Sequence, residues 1–202
     1  MQQRWIAVAS LVTLAASLGL AQASGPATSS PQTTTTSSSP QAAPTMAKAL
    51  EGELNRIERE FVSAAEAMPE DKYAFAPSNG EFKGVRTFGQ QVKHVATANY
   101  MFGAGILGEK PPVDLAGGEG AASIQSKADI VKYVKDSFAY VHKAFQQITV
   151  DNAVTPIPSP FGKGQVTRLG LAVLTVGHGF DHYGQMVEYL RMNGIVPPAS
   201  RK

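Results

Sequence analysis

Four amphipathic segments constrain the fold of this 202-residue chain more than any other feature of its sequence. In each segment the large apolar residues recur at intervals of three and four, which places them on one face of an α-helix. The segments cover about residues 50–68, 87–107, 126–148 and 167–192, and loops rich in proline and glycine separate them. No convincing strand pattern is present. The sequence therefore predicts an all-α fold, an up-down four-helix bundle.

Polar residues mark where these helices begin. Thr87 is a plausible N-cap for the second helix, the third begins at Ser123 or Ser126, and the fourth begins near Thr167. Pro69 closes the first helix.

The fourth segment carries two apolar stripes, so we expect a helix with two buried faces inside the bundle. One stripe consists of Val173, Val176, Phe180, Tyr183, Val187 and Leu190. The other consists of Leu171, Leu174, His178, His182, Gln185 and Tyr189.

The N-terminus has the pattern of a secretory signal peptide over residues 1–23. Arg4 precedes an apolar stretch that ends in the small-x-small cleavage site Ala21-Gln22-Ala23. A membrane anchor is the alternative, but the stretch is shorter than the roughly 20 apolar residues that a spanning helix needs. We therefore expect an exported protein, periplasmic or secreted, that is not inserted in a membrane after cleavage.

Residues 24–45 consist mainly of Ser, Thr, Pro, Gln and Ala and carry no charge. Such a segment cannot bury enough apolar surface to offset its ordering entropy, which predicts a disordered linker. Residues 46–202 are then long enough for one domain with a hydrophobic core.

Composition excludes several classes of site. The chain has no cysteine, so disulfides, thiolate ligands and cysteine nucleophiles are absent. Its formal charge is only +2, and no basic stripe with interleaved aromatic residues is present, which argues against a nucleic-acid partner.

His178 and His182 stand four residues apart, so a helix places both imidazoles on one face within reach of one metal ion. Gly179 stands where a zinc protease of the H-E-x-x-H type has its glutamate, so that class is rejected. Two half-exposed side chains at the bundle edge are the alternative interpretation. His94 lies in the middle of the second helix, where a lone histidine is more often a core or boundary residue, and His142 is interpreted as a boundary residue of the third helix.

Two phrases resemble the DinB-like family. The first is F-G-Q-Q-V-K-H-V-A-T-A-N over residues 88–99, and the second is H-G-F-D-H-Y-G-Q over residues 178–185. The resemblance implies a four-helix bundle of the DinB-like type in which three histidines bind one divalent metal ion. Carried over by position, the metal ligands are His94, His178 and His182.

Three imidazole ligands leave coordination positions open, as in catalytic rather than closed structural sites. We therefore expect a metal-dependent hydrolase or transferase that acts on an unidentified small molecule, with zinc or nickel as the metal. The resemblance also implies a thiol S-transferase activity in some relatives and a homodimer. The alternative is a non-catalytic protein that binds a metal or a small ligand. Arg86 is interpreted as a solvated charge, and Gly184 as a point of close helix approach.

Overall fold

The computed structural model describes residues 45–201. Its helices are α1 (Met46–Ala67), α2 (Phe88–Leu107), α3 (Lys127–Phe145) and α4 (Arg168–Met192). The predicted all-α four-helix bundle is confirmed. The signal peptide and the linker lie outside the described residues, apart from Thr45, so they stay predictions.

A short β-hairpin precedes α4, which the sequence did not predict. Strand β1 (Pro156–Pro158) pairs antiparallel with β2 (Gln165–Thr167). Each strand has only three residues, and two of those in β1 are prolines, so no apolar alternation is long enough to detect.

The helix starts follow the N-cap residues. The Thr87 hydroxyl accepts from the Gln90 backbone N–H while the Gln90 side chain accepts from the Thr87 N–H, which makes a capping box. The Ser126 side chain caps α3, which settles the choice left open between two serines, and Thr167 caps α4.

Contacts between helices set their directions. Along α2 and α3, Thr97 meets Tyr133 and Asn99 meets Ser137, so these two helices run parallel. The long loop between them allows this, because parallel neighbours need a crossover connection. Helix α4 runs antiparallel to α2, and α1 antiparallel to α3. The bundle therefore runs up-down-down-up, with α4 packed against both α1 and α2. The simple up-down order predicted from the sequence is wrong, because the long loop after α2 returns the chain to the other end of the bundle before α3 begins.

The core is formed by the predicted stripes of α1, α2 and α3, together with Leu171, Met186 and Leu190 of α4. Its largest fully buried side chains include Phe61 of α1, Phe88 of α2, and Phe138 and Phe145 of α3. Within residues 45–201, none of the helices combines the length and the apolar character that crossing a bilayer requires.

Helix α4 differs from its predicted pattern, because the two expected stripes are only partly buried. Val173 is 61% exposed and Leu174 is 40% exposed, whereas Ala172, Thr175 and Gly179 are buried. The small residues let α4 approach α1 closely: a Cβ atom at Gly179 would lie 2.8 Å from Ile57 Cγ1. The buried side chain of Ile57 therefore packs directly on the α4 backbone at Gly179, and this part of the interface needs no large apolar side chain from α4.

Candidate metal centre

Helices α2 and α4 bring His94, His178 and His182 into one cluster. Each histidine offers a ring nitrogen within 4.8 Å of the nitrogens that the other two offer. The Nε2 atoms of His94 and His178 are 3.2 Å apart. The three ring centroids are separated by 4.5–5.1 Å. The three residues could therefore hold one metal ion.

The loop between α2 and α3 orients His94. Its Nδ1 lies 3.1 Å from the Gly118 carbonyl oxygen. A carbonyl oxygen only accepts hydrogen bonds, so Nδ1 carries the proton. The lone pair of His94 is thereby on Nε2, the nitrogen that faces His178.

A chain of amide hydrogen bonds orients His182. Asp181 lies at the outer end and accepts from Gln185 Nε2 at 3.3 Å. The oxygen of Gln185 accepts from Gln91 Nε2 at 2.8 Å, which leaves Gln91 Oε1 to face His182 Nδ1 at 2.5 Å. Because the carboxylate can only accept, it fixes the direction of both amides. His182 therefore donates from Nδ1 and also has its lone pair on Nε2.

This arrangement fits a cation. Nε2 of His94 faces Nε2 of His178 at 3.2 Å, and a ring nitrogen of His182 lies within 4.8 Å of the nitrogens that the other two offer. Lone pairs brought this close need a proton or a cation between them. His178 Nδ1 is buried and has no hydrogen-bond partner among the described residues, so His178 differs from the other two histidines in that no outer partner fixes its tautomer. Outer partners that fix the tautomer of a ligating imidazole are typical of histidine metal sites.

The histidines are held in the neutral form that binds metals. Burial, followed by the neighbouring imidazoles, lowers the pKa of His178 to about 4. Burial and His94 likewise lower the pKa of His182 to about 4. Burial also lowers the pKa of His94.

A charged pair lies at the rim of the site. Arg86 Nη2 is 2.7 Å from Glu119 Oε1, and Glu119 follows Gly118, whose carbonyl orients His94. The Arg86 guanidinium holds the pKa of Glu119 below its usual range. These two residues, with Gln91 and Gln185, line an open polar pocket of about 450 Å³. Arg86 is thus part of the surroundings of the site rather than an isolated solvated charge.

Aromatic residues lie on the other side of the histidines. The ring of buried Phe102 lies 5.8 Å from that of His178, edge to face. Phe161, which is 58% exposed, lies 5.7 Å from Phe102. This side of the cluster is therefore apolar.

The fourth histidine is elsewhere in the bundle. His142 places one ring nitrogen 2.6 Å from Glu51 Oε2 and the other 2.8 Å from Glu58 Oε2, between α3 and α1. It is a boundary residue, as the sequence predicted, and the structure adds that its two nitrogens pair with different carboxylates.

One interpretation from the sequence is wrong, and one residue of the site was not predicted. Gly184 is exposed, and a Cβ atom there would meet nothing within 4 Å, so it is not a point of close helix approach. The role of Gln91 in orienting His182 was not predicted from the sequence. Gln91 lies three residues before His94 on the same face of α2, but its partner His182 lies on another helix, and spacing within one helix cannot reveal that contact.

Comparisons with known proteins agree with this fold. A DinB-like protein from Bacillus subtilis is 20% identical, with a TM-score of 0.55, covering 72% of this chain and 92% of that one. A DinB-like protein from Bacillus cereus is 18% identical, with a TM-score of 0.58, covering 73% and 95%. A conserved protein from Enterococcus faecalis is 17% identical, with a TM-score of 0.58, covering 74% and 98%.

These similarities establish the fold alone, and no curated protein matches this chain. The family model of the DinB superfamily matches residues 53–186, which include all three clustered histidines. This chain belongs to the DinB superfamily.

Proposed function

We propose that this protein binds one divalent metal ion through His94, His178 and His182 and uses it as a metal-dependent hydrolase or transferase of a small molecule. The observation that carries the proposal is the cluster of three ring nitrogens within 4.8 Å of one another, in which Gly118 orients His94 and Gln91 orients His182 from outside. Zinc and nickel are the metals proposed, because both bind imidazole well.

The donor set favours a catalytic site. Within residues 45–201, the candidate metal-binding group consists of these three histidines and includes no aspartate or glutamate side chain. Three protein ligands leave room for water or substrate, whereas structural sites have four. A bound metal would supply Lewis acidity and lower the pKa of coordinated water.

The residues around the histidines would orient and shield the reacting groups. Gly118 and Gln91 hold two of the rings, and Phe102 excludes water from one side of His178. Arg86 and Glu119 line the open polar pocket through which a small polar substrate would approach.

Metal analysis of purified variants tests the ligand assignment. We expect near-stoichiometric zinc or nickel in the wild type and loss of it in His178→Ala. The matched control is His142→Ala, which removes the histidine outside the cluster and should keep the metal. Equal metal content in the His178→Ala and wild-type proteins would show that the assignment is wrong.

A substrate panel then separates an enzyme from a binding protein. Esters, amides and pairs of a thiol with an electrophile cover the hydrolase and transferase reactions proposed. Turnover that depends on the metal and is lost in His178→Ala supports catalysis. Metal binding with no turnover on any member would favour the alternative, a non-catalytic metal or small-ligand binding protein.

We also propose that the protein is exported, because residues 1–23 carry the signal-peptide pattern. N-terminal sequencing of the protein from its native host should then begin at Ser24. A mature protein that retains Met1 would contradict export with cleavage.

A further inference from the structure

An apolar cleft lies along α2 beyond the histidine cluster. It encloses about 540 Å³, a volume within the range of small-molecule sites. Its walls include Met101, Ala104, Leu115, Pro158 and Pro160. The polar side chains of its lining are Glu109, Lys110 and Ser159, and Glu109 is already engaged because it accepts from the Tyr140 hydroxyl at 2.7 Å. The rest of the lining is methionine, leucine, alanine, proline and glycine, so the cleft offers mainly carbon to a ligand.

The cleft shares a helix face with a proposed metal ligand. Met101 and Gly105 follow His94 by seven and eleven residues, close to two and three whole turns, so the three positions point to the same side of α2. Met101 is about 10 Å along the helix from His94. That distance suits one extended small molecule.

Two loops connect the cleft with the histidines. Leu115 lines the cleft, and its carbonyl oxygen accepts from the Gly118 backbone N–H at 2.8 Å, while the Gly118 carbonyl orients His94. Pro160 lines the cleft, and the next residue, Phe161, lies against Phe102 beside His178. Each loop thus contributes one residue to the cleft and, within a few residues, another to the surroundings of the histidines.

Two apolar side chains near these elements are exposed. Leu174 stands one turn before His178 on the same face of α4 and is 40% exposed, and Phe161, which follows Pro160, is 58% exposed.

We propose that this cleft binds the apolar tail, aliphatic or aromatic, of a substrate whose polar group binds at the histidine-held metal. The inference rests on the proposed function and adds a substrate class: amphiphilic small molecules with a tail of about 10 Å. Met101 and Leu115 would then determine specificity by contacting the tail.

Alkyl hydroxamates test both parts separately. The hydroxamate group binds divalent metals, and the alkyl chain can be lengthened from acetohydroxamate to octanohydroxamate. Cobalt-substituted protein reports binding of the head group at the metal by its visible spectrum. We expect affinity to rise about threefold to fourfold with each added methylene until the cleft is filled.

A matched pair of methionine variants locates the tail. Met101→Gln places a polar group in the cleft and should flatten the dependence on chain length while leaving the affinity for acetohydroxamate unchanged. Met192→Gln makes the same change at an exposed residue at the far end of α4 and should keep the wild-type dependence.

The outcomes distinguish the two proposals. If acetohydroxamate does not perturb the cobalt spectrum, the proposed open metal site is wrong. If acetohydroxamate binds the metal but affinity does not rise with chain length, the tail site is wrong. The tail site is also wrong if Met101→Gln shows the same rise in affinity with chain length as the wild type. Equal affinity of octanohydroxamate for metal-free and metal-loaded protein would also overturn the tail site, because head and tail would then be independent.

Discussion

At the scale of single residues, the candidate site depends on which ring nitrogen of each histidine carries the proton. Gly118 and Gln91 place those protons on the Nδ1 atoms of His94 and His182. The ligand atoms are therefore selected by groups that would not themselves touch the metal. Such outer partners commonly change metal affinity by 10–100-fold when they are removed.

Gln91→Leu tests this role. The variant leaves His182 Nδ1 without an acceptor but has a side chain of similar size, so we expect metal affinity to fall by about 10–100-fold. Gln91→Glu retains an acceptor for His182 and should bind metal more tightly than Gln91→Leu. Its second oxygen, however, faces Gln185 Oε1, so the Gln185 amide must flip and lose its contact with Asp181. Competition against a chromophoric chelator measures both variants. Exposed Gln147→Leu is the control, and wild-type affinity in Gln91→Leu would show that the hydrogen bond has no role.

The sequence predicts the residues of the site unevenly. The four-residue spacing of His178 and His182 places them together on one helix face by helical geometry alone. His94 enters through resemblance, because spacing within one helix cannot show which other helix lies beside it. Gly118 contributes only its backbone carbonyl, so its role has no residue-type signal at all.

At the scale of elements, contacts between α1 and its neighbours determine how the bundle closes. Ile57 of α1 occupies the space that a side chain at Gly179 of α4 would need. His142 of α3 lies between Glu51 and Glu58 of α1. The contact at Gly179 is steric and should respond to side-chain size, whereas the contact of His142 is electrostatic and should respond to pH.

Gly179→Ala should destabilise the protein by about 1–3 kcal/mol, because its Cβ atom would overlap Ile57 despite the better helix propensity of alanine. Gly184→Ala on the same helix has open space and should stabilise by about 0.5–1 kcal/mol. Urea unfolding measures both free energies.

A double-mutant cycle checks the cause. If the overlap is responsible, Ile57→Ala costs less stability in the Gly179→Ala background than in the wild type. Additive effects of the two substitutions would rule out direct contact as the source of the loss.

The ion pairs of His142 predict a pH-dependent stability. Burial lowers its pKa, but hydrogen bonds to Glu58 and Glu51 outweigh burial and raise the pKa above the ordinary value of 6.5. The folded state therefore holds the proton more tightly than the unfolded state. The resulting stability is fully present below about pH 6.5 and is lost as the pH rises through the folded-state pKa.

His142→Gln should consequently cost more stability at pH 6 than at pH 9, with a loss of about 1–3 kcal/mol at pH 6. Urea unfolding of the wild type and the variant at both pH values measures the difference. An equal loss at the two pH values would show that the charge of His142 does not stabilise the α1–α3 contact.

The sequence predicts helices better than it predicts their packing. The stripes of α1, α2 and α3 identify the core because large apolar residues alternate with polar ones along each helix. Helix α4 misleads because its buried positions include Ala172, Thr175 and Gly179, which are small and carry little hydrophobic signal. Val173 and Leu174 of the same helix are large and apolar, which predicts burial, yet both are exposed.

At the scale of the whole molecule, the bundle holds the candidate metal centre where two antiparallel helices meet a long loop. Helices α2 and α4 supply the rings, while the loop between α2 and α3 supplies the Gly118 carbonyl and the wall of the apolar cleft. The fold class could be predicted from periodicity, but the loop geometry could not, because it depends on turns whose contacts are distant in sequence.

Association between copies of the chain is a separate prediction at this scale. The resemblance implies a homodimer, which light scattering on the purified protein measures directly. A mass of twice the chain is expected, and a mass that stays at one chain across a hundredfold concentration range would contradict it.

The central claim is that three Nε2 atoms hold one divalent metal with positions left open. Anomalous scattering from crystals grown with zinc, recorded on both sides of the zinc absorption edge, tests it most directly. We predict one anomalous peak about 2.0–2.1 Å from Nε2 of His94, His178 and His182, with water or another small ligand completing the coordination. Zinc bound elsewhere with no peak among the three histidines, or a fourth protein ligand closing the site, would contradict the claim.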